Sequence, residues 1–143
     1  MAKKLDIDRL KRELHLVTDD EFFLQVAGQV SSRSSSDERR QGALLVKNGS
    51  IIGMGCFNGY EGEAKNMGVG AIELAIAGCA RTGVSIENSI LYTYSFPNDV
   101  VCRMLWWADI GEIVYVKPRA DDNKLGRQLC EKAGIKLTQI TRF

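Results

Sequence analysis

Few residues in this chain have the types and spacing that catalysis or metal binding requires. The four cysteines lie at positions 56, 79, 102 and 130, and the single histidine is His15. These spacings are wide and contain no C-x-x-C motif, so a metal site would need ligands from four separate segments. We therefore predict reduced, mostly buried thiols and no zinc cluster built from the cysteines.

The remaining candidate reactive groups lie in the middle of the chain. They are two carboxylates, an amide, a thiol and a phenol: Glu73, Asp99, Asn98, Cys102 and Tyr94. A protein nucleophile is normally activated by a base within hydrogen-bonding reach. Because the histidine belongs to a separate N-terminal segment, the sequence gives no recognisable nucleophile–base pair.

The composition is that of one globular domain. The chain has 143 residues, of which 45% are hydrophobic and 26% charged, and its net charge is +1. That length is enough to bury a substantial core, and the near-neutral charge gives no reason to expect a nucleic acid or membrane partner. The N-terminal stretch "MAKKLDIDRLKREL" lacks the apolar core of a secretory signal, so we expect a cytoplasmic protein.

Periodicity and turn residues predict a helix, a hairpin, and then helices alternating with strands. Asn48-Gly49 predicts the hairpin turn, and Gly83 predicts the end of the following helix. This order indicates an α/β fold with three layers, in which a sheet of about five strands has helices on both faces. We predict a single domain over residues 1–143, with residues 1–18 as an N-terminal helical extension.

Apolar spacing also predicts which helix faces pack. The residues expected on packed faces are Ile7, Leu10 and Leu14 in the first helix, Phe22, Phe23, Val26 and Val30 in the second, and Leu125, Leu129 and Ala133 in the last. Trp106 and Trp107 are adjacent and must face different sides of their helix. We expect one to pack on the sheet and the other to be exposed or covered by a partner chain.

Three stretches have the order and spacing of a known family. "GALLVKNGSIIGMGCFNGYEG" looks like a hairpin and glycine-rich loop, "AIELAIAGCARTGVSIENSILYTYS" like a helix and central strand, and "FPNDVVCRMLWWADIGEIVYV" like a P-C-x-x-C helix and its following strand. Over about residues 20–140 the chain resembles the cytidine and deoxycytidylate (dCMP) deaminase superfamily. The resemblance implies a three-layer α/β/α cytidine-deaminase-like fold with a mixed sheet.

In that family a His and two Cys hold zinc, and a Glu two residues after the His transfers protons. With Pro97 matched to the family proline, the resemblance puts Gly70 at the His position and Ile72 at the Glu position. It puts Asn98 and Val101 at the two Cys positions. Gly and Val have no ligand atom, Ile has no titratable proton, and an amide is a poor zinc ligand. The resemblance therefore implies a degenerate member with no zinc cofactor and no catalytic residue.

A register shifted by one residue does not restore the site. Glu73 and Cys102 each lie one position late, which is about 100° of rotation on a helix. A common shift would also put Ala71 at the His position and Asp99 at the first Cys position. Zinc would then have too few ligands.

The loop after the hairpin keeps features of a ligand site. Asn58 matches the family asparagine that hydrogen-bonds the nucleoside sugar, although an Asx-type turn that closes the hairpin explains it equally well. Aromatic side chains of this loop could stack on a base, and arginines of the 33–40 loop could contact a phosphate unless that loop is only a surface connection. The candidate ligand-binding residues are Arg33, Arg39, Arg40, Phe57, Asn58, Gly59 and Tyr60.

Two functions of different classes remain open. The favoured one is a non-catalytic deaminase-fold protein that binds a nucleotide or a partner protein, such as an active deaminase, in a regulatory, sensing or sequestering role. The alternative is a divergent cytidine or dCMP deaminase-like hydrolase acting on pyrimidine nucleotides. In either case we expect a homo-oligomer, because members of the superfamily commonly assemble around the pocket.

Overall fold

The computed structural model describes residues 5–34, 41–57, 69–118 and 124–141. In these ranges the helices are α1 Ile7–Glu13, α2 Asp19–Ser31, α3 Ala71–Thr82, α4 Asp99–Trp107 and α5 Lys124–Lys132. The strands are β1 Gly42–Lys47, β2 Ser50–Cys56, β3 Ile90–Ser95, β4 Glu112–Lys117 and β5 Lys136–Gln139. None of the helices in the described ranges has the length and apolarity that crossing a membrane requires.

The strands form one mixed sheet in the order β2-β1-β3-β4-β5. Strand β1 runs antiparallel to β2 and β3, whereas β3, β4 and β5 run parallel to one another. The predicted hairpin turn is confirmed, since Asn48 and Gly49 both have positive φ, at 51° and 77°. Gly83 ends α3 with a φ of 74°, also as predicted.

Helices cover both faces of the sheet, which confirms the predicted three-layer α/β fold. Side chains alternate between the two faces along each strand. Leu44, Val46, Tyr92 and Val114 pack against α2, and the opposite face packs against α3, α4 and α5 in a larger cluster that includes Leu45, Leu91 and Ile113. The core is therefore split by the sheet into two parts.

The predicted packed face of α2 is partly wrong. Its buried residues are Phe23, Leu24, Ala27 and Val30, whereas Phe22 is 47% exposed and Val26 is only partly buried. Residues 23, 27 and 30 form one helical stripe at the sheet, and position 22 is rotated away from it by about 100°. The N-cap is Thr18, whose hydroxyl accepts a hydrogen bond from Glu21 N at 3.3 Å.

Three other packing predictions are wrong, wholly or in part, in the described residues. Helix α1 forms, but it buries none of its side chains. In α5 the buried residues are Gly126 and Cys130, while Leu125 is 44% exposed; of the predicted residues, Ala133 does pack against the core. Neither tryptophan packs on the sheet, since Trp106 is 38% and Trp107 86% exposed. Leu105, the residue before Trp106, fills the core in their place and is fully buried.

Glycines let the helices lie close to the hairpin. A Cβ on Gly55 would stand 2.7 Å from Ala75 N and even closer to Ala71 O, both in the backbone of α3. A Cβ on Gly42 would stand 2.6 Å from Ser31 N in α2. No side chain fits in either gap, so these glycines set the distance between the sheet and the first turn of α3 and the last turn of α2.

A hydrogen bond across the interface attaches α2 to the centre of the sheet. The Tyr92 hydroxyl donates to Asp20 Oδ1 at 2.7 Å, and the tyrosine side chain is almost fully buried. Burial raises the pKa of Tyr92 well above its usual 10.0, and the Asp20 carboxylate raises it further. The folded protein therefore holds the phenolic proton more tightly than the unfolded chain does.

We expect Tyr92→Phe to lower the free energy of unfolding at pH 7 by about 1.5 kcal/mol, because it removes a hydrogen bond to a carboxylate. The wild-type advantage is fully present below the unfolded tyrosine pKa of 10.0 and falls as the pH rises above it. Urea unfolding of both proteins from pH 7 to 11 measures this difference. A difference that stays constant across that range would contradict the assigned role of the buried phenol.

Candidate functional site

One edge of the sheet gathers several chain segments. The carboxyl ends of β3 and β4 lie beside the start of β1, because Ala43 pairs with Thr93 and Thr93 with Tyr115. The end of β2 is adjacent, since Cys56 pairs with Gly42. Helix α3 starts against the end of β2, and α4 follows β3 directly. Ligand sites of open α/β sheets commonly lie outside the carboxyl ends of the strands.

At the start of α3 a carboxylate lies over the N-cap residue, Gly70. Gly70 is the N-cap and makes no side-chain capping bond. A Cβ at this position would stand 2.5 and 2.6 Å from the two carboxylate oxygens of Glu73. Glu73 is the third residue of the helix, where a carboxylate complements the positive helix end. It therefore fills the space that a side chain at position 70 would use.

Helix α4 starts at Asn98, which acts as a structural cap. Its Oδ1 accepts a hydrogen bond from Val101 N at 2.8 Å. Such a cap stabilises a helix end by satisfying one of its otherwise unpaired N–H groups. The amide oxygen of Asn98 is thus used by the helix itself.

The side chains of Ile72 and Val101 are buried among apolar residues. Ile72 is 8% and Val101 6% exposed. Both belong to the cluster between the sheet and α3–α5, together with Ala71, Phe96 and Cys102. The starts of α3 and α4 thus contribute hydrocarbon to one continuous core.

The predicted ligand-binding residues fall largely outside the described part of the chain. Arg39, Arg40, Asn58, Gly59 and Tyr60 all lie there, so their role stays a prediction. The two that the structure describes flank these segments.

Of these two, Phe57 is half-buried and Arg33 is exposed. Phe57 N donates to Gln41 O at 3.1 Å. The Ser34 hydroxyl donates to the same oxygen at 3.1 Å and accepts from Gln41 N at 3.2 Å. Gln41 therefore ties the end of the α2 segment to the end of the hairpin.

Sequence reasoning missed a cavity at this edge, on the α2 side of the sheet. It has a volume of about 980 Å³ and lies between α2, the start of β1 and the ends of β3 and β4. Its described walls include Phe22, Gln29, Gln41, Tyr94 and Lys117. These residues come from four separate segments, and only the polar and aromatic positions on one face of α2 could have indicated the cavity.

Comparison with known families identifies the fold. The sequence pattern described as "Cytidine and deoxycytidylate deaminase zinc-binding region" matches residues 17–117, which is more than half of the chain. The chain belongs to the cytidine and deoxycytidylate deaminase family. No curated protein sequence gives a significant match.

Solved structures of deaminases share the fold of this family member. A dCMP deaminase from the cyanophage S-TIM5, in complex with dCMP and dUMP, superposes with a TM-score of 0.75 at 21% identity, covering 84% of this chain and 95% of that chain. The same enzyme in apo form gives a TM-score of 0.74 at 21% identity, with coverages of 85% and 96%. A diaminohydroxyphosphoribosylaminopyrimidine deaminase/5-amino-6-(5-phosphoribosylamino)uracil reductase from Thermotoga maritima gives 0.70 at 19% identity, covering 85% of this chain and 36% of that chain.

The residues that this deaminase-family chain has at the start of α3 and α4 do not fit zinc. Gly70 and Val101 supply no donor atom, and Asn98 Oδ1 is committed to the helix cap. Across the described ranges, the structure has no group of three His, Cys, Asp or Glu side chains that could hold a metal ion. The alignment of these positions with the family's zinc ligands stays a prediction.

The shifted candidate Cys102 lies in the core between α4 and α5. Its Sγ is fully buried and donates to Pro97 O at 3.6 Å. It also hydrogen-bonds with Cys130 of α5, which lowers the pKa of Cys130 below its usual 9.0. All four cysteines are thiols, and three of them are buried, as predicted.

Proposed function

We propose that this deaminase-family chain binds a nucleotide without deaminating it. The observation that carries the proposal is the chemistry at the starts of α3 and α4. Buried Ile72 and Val101 occupy the positions that the family register assigns to the acid and to one zinc ligand. A zinc-bound hydroxide needs three protein ligands beside an acid–base group, and hydrocarbon supplies neither. In this proposal, apolar core side chains stand where the family has a zinc ligand and the acid.

Retention of a ligand site is supported by two further observations. A cavity of about 980 Å³ opens beside this edge, within the size range of small-molecule pockets. A structural relative was solved in complex with the nucleotides dCMP and dUMP. A nucleotide is therefore the ligand class that we propose for this chain, in a regulatory, sensing or sequestering role.

A protein partner or a second copy of the chain fits the exposed side of α4. Trp107 is 86%, Val100 65% and Trp106 38% exposed. Large aromatic side chains are enriched at protein–protein interfaces. We propose this surface as a contact with another chain, either in a homo-oligomer or with an active deaminase.

The alternative function is a divergent deaminase, and the observation in its support is the family match across the zinc-binding region. A deaminase would need an acid–base group beside a nucleophile or a metal ligand set. The described candidates do not come together in this way: Glu73 covers the start of α3, and Cys102 contacts Cys130 of α5. The two functions differ in one outcome, which is ammonia release from a cytosine-containing substrate.

We expect no ammonia release from dCMP, cytidine or deoxycytidine, and measurable binding of a nucleotide by calorimetric titration. Asn58→Ala should weaken that binding by roughly three- to tenfold, the effect of one lost hydrogen bond. Turnover that a chelator abolishes would overturn the non-catalytic assignment. If even millimolar nucleotide does not bind, the protein-partner role replaces the nucleotide role.

A further inference from the structure

Helix α2 has a second face beside the one that it buries against the sheet. Phe22, Gln25, Val26 and Gln29 are spaced i, i+3, i+4 and i+7, so they form one stripe along the helix. All four line the cavity. This explains why Phe22, although apolar, stays largely exposed, whereas Val26 lines the cavity and also packs at the margin of the core. The stripe combines an aromatic ring with two amides, which is more polar than a packing face needs.

Glycines at close contacts shape the same cavity. A Cβ on Gly28, in the interior of α2, would stand 2.6 Å from the hydroxyl oxygen of Tyr94 on β3. A glycine inside a helix costs about 1 kcal/mol relative to alanine. Here the missing side chain gives the Tyr94 ring room at the cavity wall, and burial raises the pKa of the Tyr94 hydroxyl.

The described walls of the cavity have a definite chemical character. Gln25, Gln29 and Gln41 each offer an amide donor and an amide acceptor, and Lys117 at the end of β4 offers a cation. No carboxylate is among the described lining residues. A ligand that matches these walls has hydrogen-bonding edges, a flat apolar surface for Phe22 and a negative charge for Lys117.

We propose that this cavity binds a nucleoside 5′-monophosphate, with the base against the α2 stripe and the phosphate at Lys117. This inference rests on the proposed nucleotide role and adds the location and the contacts. The amides of Gln25 and Gln29 hydrogen-bond the base edge, and the Lys117 ammonium donates to the phosphate in a charge-assisted hydrogen bond. Entry from the α2 side leaves the hydrocarbon-filled starts of α3 and α4 untouched.

Calorimetric titration of four proteins tests this site with dCMP, dUMP, AMP and GMP, each beside its nucleoside. Wild type should bind at least one nucleotide roughly tenfold more tightly than its nucleoside, the effect of one charge-assisted contact. Lys117→Gln should remove that preference, and Gln29→Leu should weaken nucleotide and nucleoside equally, by roughly three- to tenfold. The matched control Lys132→Gln removes an exposed lysine of α5 that is not among the residues lining the cavity, and it should behave as wild type.

Each outcome separates the site from the proposed function. If wild type binds a nucleotide and Lys117→Gln keeps the full preference for it, the cavity is not the site while nucleotide binding stands. If Lys132→Gln loses the preference for nucleotide over nucleoside as much as Lys117→Gln does, the preference comes from the overall charge of the protein, and the proposed site is wrong. If no nucleotide binds wild type, both the cavity site and the nucleotide role fail, whereas the absence of ammonia release remains a separate result.

Discussion

A variant carrying Gly70→His, Ile72→Glu, Asn98→Cys and Val101→Cys should take up a stoichiometric zinc ion, whereas we expect none on the wild type. Structural zinc sites with Cys and His ligands contribute on the order of 10 kcal/mol of binding free energy, so the expected change is very large. The side chain at position 70 must displace the Glu73 carboxylate, which stands 2.5 Å from the new Cβ. That movement is easy because the carboxylate is the free end of a flexible side chain.

The matched control carries the first two changes together with Asn98→Ser and Val101→Ser. Serine can still cap α4 through its hydroxyl, but it offers no thiolate to zinc. Elemental analysis after dialysis compares the two variants, and circular dichroism checks that both fold. If the cysteine variant folds and holds no more zinc than the serine control, the alignment with the family's metal ligands is wrong.

Replacing Gly55 with alanine should lower the free energy of unfolding by about 3 kcal/mol, at the upper end of overpacking effects. The new methyl group would stand 2.7 Å from Ala75 N and closer to Ala71 O. Both obstacles are backbone atoms of α3, so the whole first turn must move away from β2. That turn contains Ile72, and its displacement would also open the packed start of the helix.

Gly78→Ala is the matched control for this change. Gly78 lies in α3, the helix that Gly55 contacts, and a Cβ there would meet nothing within 4 Å. It should raise stability by about 0.5–1 kcal/mol, because alanine favours helix more than glycine does. Urea unfolding measures both variants. A loss below about 1 kcal/mol for Gly55→Ala would mean that α3 does not pack on the hairpin as closely as described.

The fold was predictable because its signals are local. Asn48-Gly49 needs positive φ at a tight turn, and Gly83 needs it at a helix end, so each residue type alone indicates its structure. The order of elements then limits the architecture to a sheet between two helical layers. The family's hairpin, helix and central strand were recognisable for the same reason.

The packed faces were less predictable, because they depend on where the sheet lies. Phe22 and Phe23 are equally apolar, and only the direction from which the sheet approaches α2 decides that Phe23 is buried. Gly28 and Gly42 look like ordinary glycines until the opposing Tyr94 ring and Ser31 backbone are placed against them. How closely two segments approach depends on both of them, so the residue pattern of one segment alone does not predict it.

The candidate site residues remain a prediction, although the structure shows what some of them do locally. Asn98 and Val101 were singled out as changed ligand positions. In the structure Asn98 caps helix α4, and Val101 is a buried core residue. The cavity was missed because Phe22, Gln41 and Lys117 are far apart in sequence and come together only when α2, β1 and β4 assemble.

Native mass spectrometry of the purified chain, incubated with zinc and dCMP, tests the central claim most directly. The claim is that this member of the deaminase family has lost the metal chemistry and kept a nucleotide site. One spectrum reports the mass of the chain, of any bound zinc and of any bound nucleotide. We predict a chain without zinc, together with a nucleotide adduct whose mass remains that of dCMP. A stoichiometric zinc ion, with the adduct converted to the mass of dUMP, would contradict the account.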